Sequence, residues 1–69
     1  MVQVQLLDEA IKKSGLRTDY LAENLGITRV NFSNKKNGHQ DFRTSEIFVL
    51  CTLLKLTDEE RDAIFFSKT

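Results

Sequence analysis

Positive charge in this chain is gathered in one stretch. Residues 28–43 hold Arg29, Lys35, Lys36 and Arg43 against Asp41 alone, although the 69-residue chain carries ten basic and ten acidic side chains and is neutral overall. Residues 1–27 carry three bases and four acids, and residues 44–69 three bases and five acids. Such a segment suits a polyanion, because guanidinium and ammonium groups bind phosphate oxygens; the neutral total keeps non-specific affinity modest. The other reactive side chains point away from catalysis. Asp58, Glu59, Glu60 and Asp62 resemble paired carboxylates, but they fall where a helix begins, and acids there stabilise its dipole. His39 stands alone in a polar loop with no other patterned metal ligand, so it is solvated or faces phosphate. Cys51, the single cysteine, lies in the apolar run FVLCTLL and reads as a small buried hydrophobe. No nucleophile–base pair, glycine-rich phosphate loop or metal-ligand spacing occurs. The expectation is neither an enzyme nor a cofactor-binding protein.

The elements that must position these residues are helices. There is no proline, the charged fraction of 29% and the regular apolar spacing argue against disorder, and no segment alternates in the manner of a strand. The chain is therefore all-α, a single domain over 1–69. A first helix runs from about Gln3 to Ser14, with Val4, Leu7, Ala10 and Ile11 on one face and Asp8, Glu9, Lys12 and Lys13 towards water. Gly15 ends it in the left-handed region, and Leu16 packs back. Thr18 caps a second helix whose inner face is Leu21, Ala22 and Leu25. Thr28 caps a third, from Arg29 to about Lys36, closed by Asn37-Gly38. After a loop to Arg43, Thr44 caps a fourth helix reaching about Lys55, with Ile47, Phe48, Leu50, Cys51 and Leu54 as core candidates. The C-terminal helix, 57–66, opens on the capping box Thr57-x-x-Glu60 and ends in Ala63-Ile64-Phe65-Phe66. The longest apolar run is too short to span a bilayer. The start, MVQVQLLDEAIKK, has acids where an export signal needs bases, so a cytoplasmic location is expected.

The segment Leu16–Gly38, LRTDYLAENLGITRVNFSNKKNG, is the most specific part of the chain. Ala22 precedes Gly26 by four positions, among the apolar residues Leu21, Leu25, Ile27 and Phe32. Two short helices cross closely only if one offers a small side chain at the contact, and the sharp turn between them suits a glycine. This pattern resembles the helix-turn-helix of the lambda-type repressor and Cro (XRE-like) family, in particular small Cro-like regulators of phages and mobile elements of Gram-positive bacteria. NFSNKKNG, the helix opening FRTSEI and the ending DEERDAIFF share that look. The resemblance implies a five-helix, lambda-repressor-like DNA-binding domain with its helix-turn-helix over 18–36 and its second helix in the major groove.

Carried over residue by residue, the resemblance makes Thr28, Arg29, Val30, Ser33 and Asn34 the base-reading positions. Helical geometry agrees for Arg29, Val30 and Ser33, because Phe32 and Ile27 point inward. The fork of Arg29 suits O6 and N7 of guanine, worth about 1–3 kcal/mol of discrimination; a phosphate clamp or a solvated arginine is the alternative. Val30 suits a thymine methyl, Asn34 either adenine or phosphate, and Ser33 is short and tolerant. Arg17, Thr18, Lys35, Asn37, His39 and Arg43 surround the same surface as phosphate contacts. Thr18 stands where many relatives carry glutamine, and Asn37 is equally a turn residue. Lys35 stands where many relatives bury an apolar side chain, so its stem should cover the core edge while its ammonium reaches out.

The resemblance implies a sequence-specific regulator that occupies a palindromic operator on double-stranded DNA as a homodimer. Phe65 and Phe66 are adjacent, so one helix does not readily bury both in its own core; they are the expected dimer or partner contact, the alternative being that one fills the core and the other lies over a crevice. The short chain favours a Cro-like regulator over a self-cleaving repressor. An antirepressor or antitoxin acting on a protein partner is the alternative, motivated by the zero net charge, the short Thr18 and the apolar C-terminus.

Overall fold

In the computed structural model, which describes residues 2–66, the apolar positions close into five helices among the described residues. They are α1 (Val4–Ser14), α2 (Thr18–Leu25), α3 (Arg29–Lys36), α4 (Thr44–Leu53) and α5 (Asp58–Phe65). No strand occurs among the described residues. The radius of gyration is 10.7 Å, against about 11 Å for a compact chain of this length. The all-α fold class expected from the sequence is therefore present.

The core draws on every helix. Leu7 and Ile11 come from α1, Leu21 and Ala22 from α2, Phe32 from α3, Leu50 and the following Leu54 from α4, and Ile64 and Phe65 from α5. Helix α2 packs on both α3 and α4, and α1 packs on α5 and α3. Phe42 bridges this cluster from the loop before α4. Its ring meets Phe32 edge-on at 6.0 Å and Phe65 at 5.7 Å between centroids, a favoured aromatic geometry. The N–H of Gln3 donates to the carbonyl of Ile64 at 2.7 Å and ties the start of α1 to α5.

The α2–α3 turn is set by Gly26, whose φ of 71° lies in the left-handed region. The N–H groups of Gly26 and Ile27 turn back to the carbonyls of Glu23 and Ala22, both at 3.1 Å. The half-buried Ile27 then folds onto the core. Together these fix the direction in which α3 leaves. Thr28 caps α3 as expected, its hydroxyl accepting from the N–H of Asn31 at 3.1 Å. The capping box of α5 is also formed, with Thr57 and Glu60 bonded reciprocally at 2.9 and 3.1 Å.

Several local expectations are corrected. Helix α1 starts at Val4, with Gln3 as its cap. Thr18 is not an N-cap: Arg17 holds that position in extended backbone, without a side-chain bond, and Thr18 is already helical. Thr44 is likewise the first residue of α4 after Arg43, because the cap is supplied from inside the helix. There the Glu46 carboxylate accepts from the Arg43 N–H at 2.8 Å. Helix α4 ends at Leu53, and the chain reverses through Lys55 at φ 54°. Phe48 is 73% exposed and not a core residue. Helix α4 is apolar around most of its girth, so periodicity does not select its inner face.

Candidate functional site

The first turns of α2 and α3, with the next turn of α3, enclose an open cleft of about 500 Å³. Arg17, Thr18 and Asp19 line it from α2 and its cap. Arg29, Val30, Ser33 and Lys36 line it from α3. These α3 positions share one face, since residues three and four apart are neighbours on a helix. Phe32, on the opposite face, is fully buried, and its anchoring aims Arg29 and Val30 outward. Val30 is 70% exposed. An apolar side chain left so open on a short helix offers contact area with no role in the fold.

Three cations and one acid line the cleft. Arg29 donates from Nη1 to Oδ1 of Asp19 at 3.0 Å, both side chains being largely exposed. Its Nε and Nη2 have no partner among the described residues. At the far end, the Lys36 ammonium lies 3.4 Å from Asp8 of α1, which also pairs with Lys12 at 3.2 Å. Hydrogen bonds from Lys12 and then Lys36 hold the Asp8 carboxyl below the ordinary carboxylate range. Two of the three cations are thus partly compensated from neighbouring helices, while Arg17 is exposed.

The cleft brings together five of the expected residues: Arg17, Thr18, Arg29, Val30 and Ser33. Others lie off its wall. The hydroxyl of Thr28 is engaged in capping. Asn34 is half-buried, and its carbonyl accepts from the N–H groups of His39 and Gln40 at 2.8 and 3.3 Å. Asn37 caps the end of α3 and bonds Ser33 at 3.4 Å. His39 and Arg43 are exposed in the loop that follows.

Lys35 is corrected outright. It is only 8% exposed, and its ammonium donates to both carboxylate oxygens of Glu46, at 2.7 and 2.8 Å. Its charge is spent inside the molecule, so it does not reach a phosphate. Burial pushes the Glu46 carboxyl up, but the Arg43 N–H and the Lys35 ammonium outweigh it and hold the group below its ordinary value. Phe65 is buried against Phe42 and reaches the surface only at the floor of a cavity it lines beside Phe66. Phe66 is 55% exposed. Burial raises the pKa of the half-buried Cys51 thiol, which keeps it protonated and unreactive at neutral pH.

Asp19 and Lys36 are the two cleft residues without a site role in the sequence reading. The spacing Arg29, Ser33, Lys36 follows one helix face and identifies Lys36. Asp19 is ten positions from Arg29, and only the crossing of α2 and α3 joins them. No group of three or more His, Cys, Asp or Glu side chains placed to hold a metal ion occurs among the described residues. No helix among them is long and apolar enough to cross a membrane. No protein-family model matches the chain, and no curated protein or solved structure matches it.

Proposed function

We propose that this chain is a sequence-specific DNA-binding regulator of the lambda-type repressor and Cro kind. In this reading α2, its turn and α3 form the helix-turn-helix, and α3 enters the major groove of a double-stranded operator. The observation that carries the reading is the pairing of Arg29 and Val30. They stand exposed and adjacent on the first turn of α3, beside a cleft with more bases than acids. An arginine fork and a small apolar side chain suit guanine and a thymine methyl. Arg17 and Lys36 flank them at positions suited to phosphate oxygens. Lys35 drops out of the phosphate set. Binding as a two-fold dimer on a palindromic site would double this small surface, with exposed Phe66 as a contact. Operator occupancy would then act by excluding polymerase.

A second reading, an antirepressor or antitoxin that binds a protein partner, is favoured by the exposed Phe48 and Phe66 and by the ion pairs that compensate Arg29 and Lys36. Selection from a random duplex pool at near-physiological salt, with wild type and Arg29→Ala side by side, separates the two. A two-fold motif altered at one position in the variant supports the DNA reading. No enrichment by wild type removes it in favour of a protein partner.

A further inference from the structure

We infer that Asp19 is a positioning residue for recognition, holding the Arg29 guanidinium so that its remaining donors face a bidentate acceptor such as the guanine edge. The inference rests on the proposed DNA reading. Its basis is the hydrogen bond across the cleft, from Nη1 of Arg29 to Oδ1 of Asp19 at 3.0 Å. A carboxylate that takes Nη1 leaves Nε and Nη2, the two donors that lie parallel on one edge of a guanidinium. That edge matches two acceptors a guanine presents side by side, O6 and N7.

The pair does little for the fold. The side chains are 71% and 62% exposed, and exposed pairs of this kind add little to stability. Its effect falls instead on the freedom of Arg29. An unpaired arginine loses several side-chain torsions on docking, and that loss weakens binding; a side chain already oriented loses less. Both partners are in the first turns of helices that pack directly on each other, so the backbone beneath each side chain is held in place. Asp19 also puts a negative charge beside the path of a phosphate backbone. It therefore weakens contact with any duplex while sharpening contact with the right one.

These two effects have opposite signs, and that makes the inference testable. Affinities of the full chain are measured by competition for the selected site, for its single-base variants at the position Arg29→Ala alters, and for a random duplex. Asp19→Ala should lower the preference for the correct base about three- to tenfold, while binding to the random duplex holds or strengthens. Asp19→Glu, which keeps the carboxylate, should restore most of the preference. Adding Asp19→Ala to Arg29→Ala should change the preference no further. If alanine lowers the thermal midpoint, Asp19→Asn replaces it in the same series. Wild-type discrimination in the Asp19 variants overturns the inference, and so does a gain in discrimination, which would make Asp19 a competitor for Arg29. Failure of the DNA reading looks different: wild type then prefers no site, or Arg29→Ala weakens all duplexes equally, and the positioning role falls with it.

Discussion

Lys35 and Glu46 form a buried ion pair in which each partner has other work. Glu46 also satisfies the N–H of Arg43 at the start of α4, and the stem of Lys35 fills a core-facing position of α3. Breaking such a pair leaves an uncompensated buried charge. Lys35→Met should therefore cost about 3–5 kcal/mol in chemical unfolding, far more than loss of the exposed Arg29–Asp19 pair, at about 0–1 kcal/mol. The acid limb gives an independent check. A carboxyl whose folded pKa is depressed contributes stability that is present above the ordinary glutamate value of about 4.3 and lost as pH falls through the folded value. Asp8 and Glu60 are depressed too, so wild type should lose stability below that value. Glu46→Gln, already weakened at neutral pH by the stranded Lys35, should lose less on acidification. Equal acid slopes in the two proteins would show that Glu46 is not part of the effect. The place of the Lys35 stem at the core edge follows from the resemblance, but the inward ammonium does not: only the meeting of α3 with the first turn of α4 gives it a partner.

At the scale of elements, glycines and hydroxyls carried most of the legible information, and the caps show where it ran out. Thr28 and Thr57 accept from backbone N–H groups three residues on, whereas Thr18 and Thr44 lie one residue inside their helices. A threonine beside a helix start is compatible with both positions, and the preceding arginine decides between them through its backbone. Thr28→Ala should cost about 1 kcal/mol, a drop of about 4–8 °C in thermal midpoint for a domain this small. Thr44→Ala should stay within about 0.5 kcal/mol, because Glu46 supplies that cap. A matching loss in both variants, read by calorimetry, would put a cap at Thr44 after all. The five helices and the exposed face of α3 followed from periodicity and turn residues. The outward turn of Phe48 did not, because an apolar run such as IFVLC has no polar side to orient it, and Phe42 was missed because it packs from a loop.

For the whole molecule the question is how a small core coexists with exposed aromatics. The two adjacent phenylalanines at the end of α5 divide between these roles. Phe65 lies in the core and meets Phe42 at 5.7 Å. Removing a buried ring of this size costs about 3–5 kcal/mol, which approaches the lower end of the roughly 5–15 kcal/mol that separates folded from unfolded domains. Phe65→Ala should therefore be partly unfolded at 37 °C by circular dichroism, where wild type is folded. Phe66 borders a separate surface cavity with Val2, Thr44 and Ile47, and more than half of it is open to water. Phe66→Ser should keep the wild-type melting curve. If a second copy covers this ring on DNA, as the proposed two-fold dimer requires, the same substitution should weaken self-association in sedimentation and make occupancy of a palindromic site less cooperative, while binding to one half-site is unchanged. Unaltered cooperativity would remove Phe66 from the dimer contact. The unpacked face of α4, where Phe48 is 73% exposed, would then be the surface on which to repeat the test.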